Sequence, residues 1–235
     1  MPAEILKPPI KISLRTAALI AGLSILMMVI AAPFAELFVY PKLVIPGNAA
    51  ETAKNILANQ TLFISAIFAY LITFISDVLV AWALYILLKP VSGSLSLLTA
   101  LFRWLYAAIG IASLLNLVTA LKLLKGDEYL NLFKSDQLQA QVMFSLNTFR
   151  DGFHFGILFF SIHLGLLGYL VLRSQYIPWI LGILLIISGL GYLGTALQPF
   201  LFPNINLDLA VYTFYGELIF MLWLIIGGSR IKEPN

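Results

Sequence analysis

The chain has 235 residues, of which 61% are hydrophobic and only 11% charged, with a formal net charge of +3. A soluble domain usually carries about 25% charged residues, so the composition excludes an ordinary water-soluble fold and points to a single integral membrane domain over residues 1–235. With no cysteine, disulfides, thiolate metal sites and cysteine nucleophiles are excluded as well.

A helix needs about 20 apolar residues to cross a hydrocarbon core of about 30 Å. Six segments reach that length in chain order: about 17–39, 61–88, 95–121, 152–172, 176–197 and 209–227. Backbone groups in lipid must bond within their own segment, so helices are the form these runs take. The predicted fold class is all-α, a polytopic transmembrane helical bundle of six spans. Lys7, Lys11 and Arg15 precede the first run, which is longer than the about 7–15 residues of a signal-peptide core. It reads as an uncleaved first helix.

The breaks between spans carry turn chemistry. Pro41 and Pro46-Gly47 end the first span, and Lys89-Pro90 through Ser94 make a tight turn between the second and third. Gly126 to Glu128 end the third, Arg173-Ser174 with Pro178 separate the fourth from the fifth, and Pro199, Pro203 and Asn204 precede the sixth. Residues 48–59 read as a short amphipathic helix lying at the interface or extending the second span. Residues 129–147 read either as an interfacial helix or as the outer half of a long fourth helix.

Orientation is read from lysine and arginine in the flanks. Placing both termini in the cytoplasm puts Lys7, Lys11, Arg15, Lys89, Arg173, Arg230 and Lys232 inside, and Lys42, Lys54, Lys122, Lys125 and Lys134 outside. The excess is seven against five and favours that orientation modestly.

Charge at the centre of a membrane helix costs about 2.5–3.5 kcal/mol on insertion scales, so such residues face the bundle and seek partners. Four ionisable residues lie deep in the predicted spans: Asp77, Arg103, His163 and Glu217. At about 1.5 Å per residue, Asp77 stands roughly 16 Å above the inner end of its span, Arg103 about 12 Å, His163 about 13–14 Å and Glu217 about 15 Å. They share one layer near mid-membrane. The tight turn between spans two and three makes Asp77 and Arg103 neighbours and predicts an ion pair. A neutral His163 bonded to Glu217, or a protonated Glu217 in a dry site, would complete the network. Tyr70, Tyr85, Tyr106 and Tyr215 are the candidate hydroxyl donors.

A second polar group stands near the outer surface: Glu36 at the end of the first span, with Arg150, Asp151 and His154 at the start of the fourth. Arg150 and His154 share a helix face, and Asp151 lies three residues from His154. Solvated interfacial residues are the simpler reading of this group, and half a metal site is the sharper one. His154 and His163, nine apart, fall on opposite faces of a straight helix, which argues against a two-histidine metal or haem site there. No metal and no cofactor are expected. Small-residue pairs mark close helix contacts: Gly152 with Gly156, Ser161 with Gly165, Ala18 with Gly22, and Gly182, Gly189 and Gly191 in the fifth span.

The chain resembles domain-of-unknown-function family 4386, a group of bacterial multi-pass membrane proteins, over nearly its whole length. The likeness rests on Arg15 to Gly22, Thr52 to Leu57, Ser76-Asp77-Val78, Leu84-Tyr85, Leu88 to Val91 and Leu101-Phe102-Arg103. It continues with Leu167 to Leu170, Arg173-Ser174, Tyr176-Ile177-Pro178, Leu181-Gly182, Gly216-Glu217-Leu218 and Trp223-Leu224. Trp179 stands where the pattern has a basic residue, which leaves the inner loop less positive. The resemblance implies this architecture and a bacterial inner or plasma membrane. It includes Asp77, Arg103 and Glu217 as motif members without roles and supplies no reaction.

Several functions fit such a layer. It can be a site for a small ligand, an ion or a proton, as in a transporter. It can serve an intramembrane enzyme acting on a lipid or isoprenoid. It can belong to a sensory or accessory subunit without catalysis, or simply pin helices together. Membrane lipid is the expected partner. Nucleic acid is not, because the sequence has no basic stripe, and a protein partner or second copy is compatible with the pattern.

Overall fold

A computed structural model describes residues 12–126, 133–201 and 209–231. The chain forms α1 (Leu14–Pro33), a π-helical segment (Phe34–Val39), α2 (Tyr40–Leu43), α3 (Ala49–Ala58), α4 (Gln60–Leu88) and α5 (Gly93–Lys125). These are followed by α6 (Ser135–Arg173), α7 (Trp179–Leu201), α8 (Ala210–Thr213), α9 (Tyr215–Ile226) and a closing 3₁₀ turn (Gly228–Arg230). There is no strand among the described residues. Five stretches are long and apolar enough to cross a membrane: Leu14–Leu43, Gln60–Leu88, Gly93–Lys125, Ser135–Arg173 and Trp179–Gln198. The sixth apolar segment, Ala210–Ile226, is shorter than these five. Lys7, Lys11, Lys232, Asp127, Glu128 and Asp208 lie outside the described residues.

The helix starts follow from local chemistry. Ser13 caps α1 by accepting from the Thr16 amide at 3.1 Å, and Asn48 caps α3 by accepting from the Glu51 amide at 3.0 Å. Gly47 turns the chain into α3 with φ of 76°, a left-handed value that glycine adopts without steric cost. The first span outlasts its sequence reading. Beyond Pro33, which has no N–H to donate, the winding widens into a π segment, and the Tyr40 amide bonds the Ala35 carbonyl five residues back. The helix then runs on to Leu43, with Pro41 at the first turn of α2, where a missing N–H is tolerated. Residues 48–59 contain the short helix α3. From residue 135 onward the second ambiguous segment is the N-terminal part of one 39-residue helix, α6.

Each long helix packs on the next: α1 on α4, α4 on α5, α5 on α6, α6 on α7 and α7 on α9. Since α9 also packs on α1, the six close into a ring. Small residues allow the closest approaches. A Cβ on Gly168 of α6 would stand 2.6 Å from the Gly182 carbonyl oxygen of α7, so these helices meet backbone to backbone. Aromatic side chains pack against one another inside the ring. Tyr70 packs edge-on against Phe149 at 5.1 Å, Phe74 against Tyr106 at 5.7 Å, and Tyr106 lies 4.9 Å from Phe160. Outward-facing Leu23, Phe68, Leu115 and Leu190 are exposed, as expected of a surface solvated by hydrocarbon.

Candidate functional site

The antiparallel turn between α4 and α5 brings Asp77 and Arg103 face to face inside the ring. Arg103 places both Nε, at 2.8 Å, and Nη2, at 2.7 Å, on the same carboxylate oxygen, Oδ1 of Asp77. The other oxygen, Oδ2, is buried with no hydrogen-bond partner among the described residues. Arg103 turns its Nη1 toward Nε2 of His163 on α6, 3.1 Å away. Nδ1 of His163 faces the Thr99 carbonyl at 2.8 Å. A carbonyl only accepts and a guanidinium only donates, so Nδ1 carries the proton and Nε2 accepts: His163 is a neutral imidazole in one tautomer. Nη2 of Arg103 also approaches the Met28 sulfur on α1 at 3.7 Å, and the guanidinium lies over the Phe160 ring at 5.1 Å. Asp77, Arg103 and His163 are 0%, 1% and 0% exposed, so water reaches none of them.

Glu217, the fourth residue of the predicted layer, is bonded to none of these three side chains, although the charges of Arg103 and Asp77 act on it. The sequence reading joins it to His163; the structure instead bonds it to the Tyr192 hydroxyl of α7. His163 has both nitrogens engaged elsewhere, which is the physical reason the expected bond is absent. Glu217 is half-buried at the side of a crevice of about 180 Å³ between α1 and α9. Its other walls include Met28, Val29, Pro33, Tyr192 and Phe214. Met28 therefore touches both the triad and the crevice.

The outer group is divided. Arg150 pairs with Glu36 and lies over the Tyr40 ring at 5.2 Å. The second oxygen of Glu36 accepts from the Tyr70 hydroxyl at 2.5 Å. Glu36 is part of the π segment, so the widened winding beyond Pro33 belongs to the backbone that holds it. This pair lines an outer pocket of about 380 Å³ with Tyr40, Met143 and Asn147. Asp151 is not part of it. One residue further along α6, it is turned by about 100° and lines a separate groove with Ser113, Asn116 and Thr148. His154 is half-buried beside Phe153. Among the described residues no group of three or more histidine or acidic side chains is placed to hold a metal ion.

Tyr70 serves Glu36 rather than the central layer, Tyr215 is exposed, and Tyr85 lies under Lys89. The hydroxyl that reaches Glu217 is that of Tyr192, which the sequence reading did not single out. Met28, Thr99 and Phe160 were missed as well. Nothing in their local pattern distinguishes them from other wall residues, because their roles come from facing a different helix.

The family described as Domain of unknown function (DUF4386) matches residues 20–228. An uncharacterized protein of the archaeon Archaeoglobus fulgidus is 37% identical over 160 residues, covering 68% of this chain and 81% of its own length. The bacterial source implied by the sequence resemblance is therefore not the only kind of cell in which similar chains occur. No solved structure matches.

Proposed function

The chain belongs to the DUF4386 family, and we propose that it is a six-span protein of the bacterial or archaeal cell membrane that binds a small cationic group or a proton at Glu217. Both termini are cytoplasmic, with Arg15, Lys89, Arg173 and Arg230 at the inner face. The sixth span is α8 and α9 together. Closure of the ring by α9, which packs against both α1 and α7, supports counting it.

The observation that carries the reading is the count of charge in the polar layer. Asp77 and Arg103 neutralise each other, and His163 is neutral by its hydrogen bonds. Glu217 is then one acid too many. An unbalanced carboxylate at membrane depth is costly, so Glu217 either keeps a proton or meets a cation. Its crevice opens from the flank of the ring, between α1 and α9, and the rings of Tyr192 and Phe214 flank it. Aromatic faces next to a carboxylate favour an ammonium group. The ligand class is an amphiphile with a protonated or quaternary amine, arriving from the lipid side. The triad is the pin that holds α1, α4, α5 and α6 in register and is not the ligand contact. Its complete burial supports that division, and the aromatic packing inside the ring speaks for a binding site rather than a conduit.

The test uses dodecyltrimethylammonium and neutral dodecyl maltoside as competing probes on the purified full chain. Binding of the ammonium probe is expected to release a proton and to be lost in Glu217→Gln, with the fold intact by thermal unfolding. Equal binding by the parent and Glu217→Gln would sink the proposal.

A further inference from the structure

We infer that the groove between α7 and α9, at the end of the bundle carrying Arg15, Lys89, Arg173 and Arg230, is a binding site for an anionic phospholipid. Its phosphate would sit on Arg230 and Gln175. An acyl chain would lie between Ile180 and Leu181 on one wall and Ile219 and Leu222 on the other.

The groove exists because the two helices splay. Towards the other end they touch: a Cβ on Gly216 would stand 2.5 Å from the Leu184 carbonyl oxygen, and the Ser188 hydroxyl donates to the Thr213 carbonyl at 2.6 Å. Towards the basic end the gap widens to about 830 Å³. Its walls are apolar and open, with Ile180, Ile219 and Leu222 exposed by 47%, 44% and 51%. In a chain that spans a membrane, hydrocarbon is the solvent of such walls, and an acyl chain is the shape that fills a slot between two helices.

The mouth supplies the charge preference. Arg230 and Gln175 are both exposed there. Among the described residues the ion pairs are those of Arg103 and Arg150, and no described carboxylate pairs with Arg230. The described acids are all elsewhere: Asp77 and Glu217 at mid-bundle, and Glu36, Glu51, Asp136 and Asp151 towards the opposite end. The Tyr176 hydroxyl is spent on the Leu87 carbonyl at 2.5 Å and offers only its ring. The arrangement recurs on the other flank of α9, where Arg15 stands over a smaller cleft of about 330 Å³ walled by Leu19 and Ile225. Basic residues over clefts between membrane helices are how anionic headgroups are held. One arginine and one amide are too few to retain free phosphate, whereas the apolar slot adds a second point of attachment.

The test is native mass spectrometry of the purified full chain in non-ionic detergent, titrated with phosphatidylglycerol or phosphatidylcholine. Phosphatidylglycerol is expected to bind more tightly, and Arg230→Gln to weaken it about fivefold, the worth of one interfacial basic residue, while leaving phosphatidylcholine unchanged. Arg173→Gln, an exposed arginine that does not line the groove, is expected to change neither. Ile219→Trp, which fills the slot without altering charge, is expected to weaken both. The inference fails if Arg230→Gln and Arg173→Gln weaken binding equally, if the two lipids bind alike, or if millimolar inorganic phosphate displaces the lipid. Glu217→Gln is expected to leave lipid binding intact, so the two proposals stand or fall separately.

Discussion

The molecule contains the same chemical unit twice, in two different solvents. At its centre Arg103 pairs with Asp77 and lies over Phe160; nearer one end of the bundle Arg150 pairs with Glu36 and lies over Tyr40. The central pair is 1% and 0% exposed, the outer pair 33% and 27%. Burial decides what each is worth. Losing one partner of a desolvated pair leaves a charge with nowhere to go, whereas water takes the place of a partner lost at the rim. Each unit has further support, from His163 and Met28 on Arg103 at the centre and from the Tyr70 hydroxyl on Glu36 at the rim.

The strongest way to break this comparison is Asp77→Asn, which strands Arg103. It is expected to cost about 3–5 kcal/mol, read as a lower thermal midpoint in detergent. The double variant Asp77→Asn/Arg103→Gln removes both charges and is expected to recover much of that loss. If the double variant is no better than the single, the pair is not what holds the helices. Next in size is His163→Ala, which takes away the acceptor for Arg103 and the donor to the Thr99 carbonyl. A buried group left unsatisfied costs about 1–3 kcal/mol, and His163→Gln is expected to restore part of it.

A smaller effect is expected at Tyr176, whose hydroxyl donates to the Leu87 carbonyl. Tyr176→Phe removes one ordinary hydrogen bond, about 1 kcal/mol. Tyr176 lies between two spans, and burial pushes its hydroxyl from 10.0 up to about 12. The folded state thus holds this proton more firmly than the unfolded chain. The contribution is complete below pH about 10 and fades as pH rises toward about 12. An alkaline unfolding titration that keeps this step in Tyr176→Phe would show that another group causes it. Smallest of all is Glu36→Gln at the rim, expected to change stability by about 0–1 kcal/mol and less still at high salt. A loss there as large as that of Asp77→Asn would erase the distinction between the two pairs.

How far the polar layer could be read from the chain differs residue by residue. The short turn at Lys89–Ser94 forces α4 and α5 antiparallel, so counting residues from it suffices to bring Asp77 level with Arg103. For Glu217 one of the two readings, a bond to His163, is replaced in the structure by one to Tyr192. Depth is a sum of equal rises along one helix, but facing depends on how a helix is rotated about its axis, and each residue changes that by about 100°. The same rotation separates Asp151 from Arg150, which adjacency in sequence had put together. The small-residue pairs were legible as contact surfaces, though not as to which helix each would meet.

The sequence by itself determined that the chain is helical, where its apolar segments run, and that four ionisable residues fall within those segments. These are properties of one segment at a time, set by hydropathy, length and the need to satisfy backbone groups locally. Only the tertiary structure decided that α9 closes the ring on α1, that His163 serves Arg103, and that Glu217 is left to a crevice of its own. Those outcomes depend on how several helices pack at once, because a side chain has a partner only when the rotations of two helices agree.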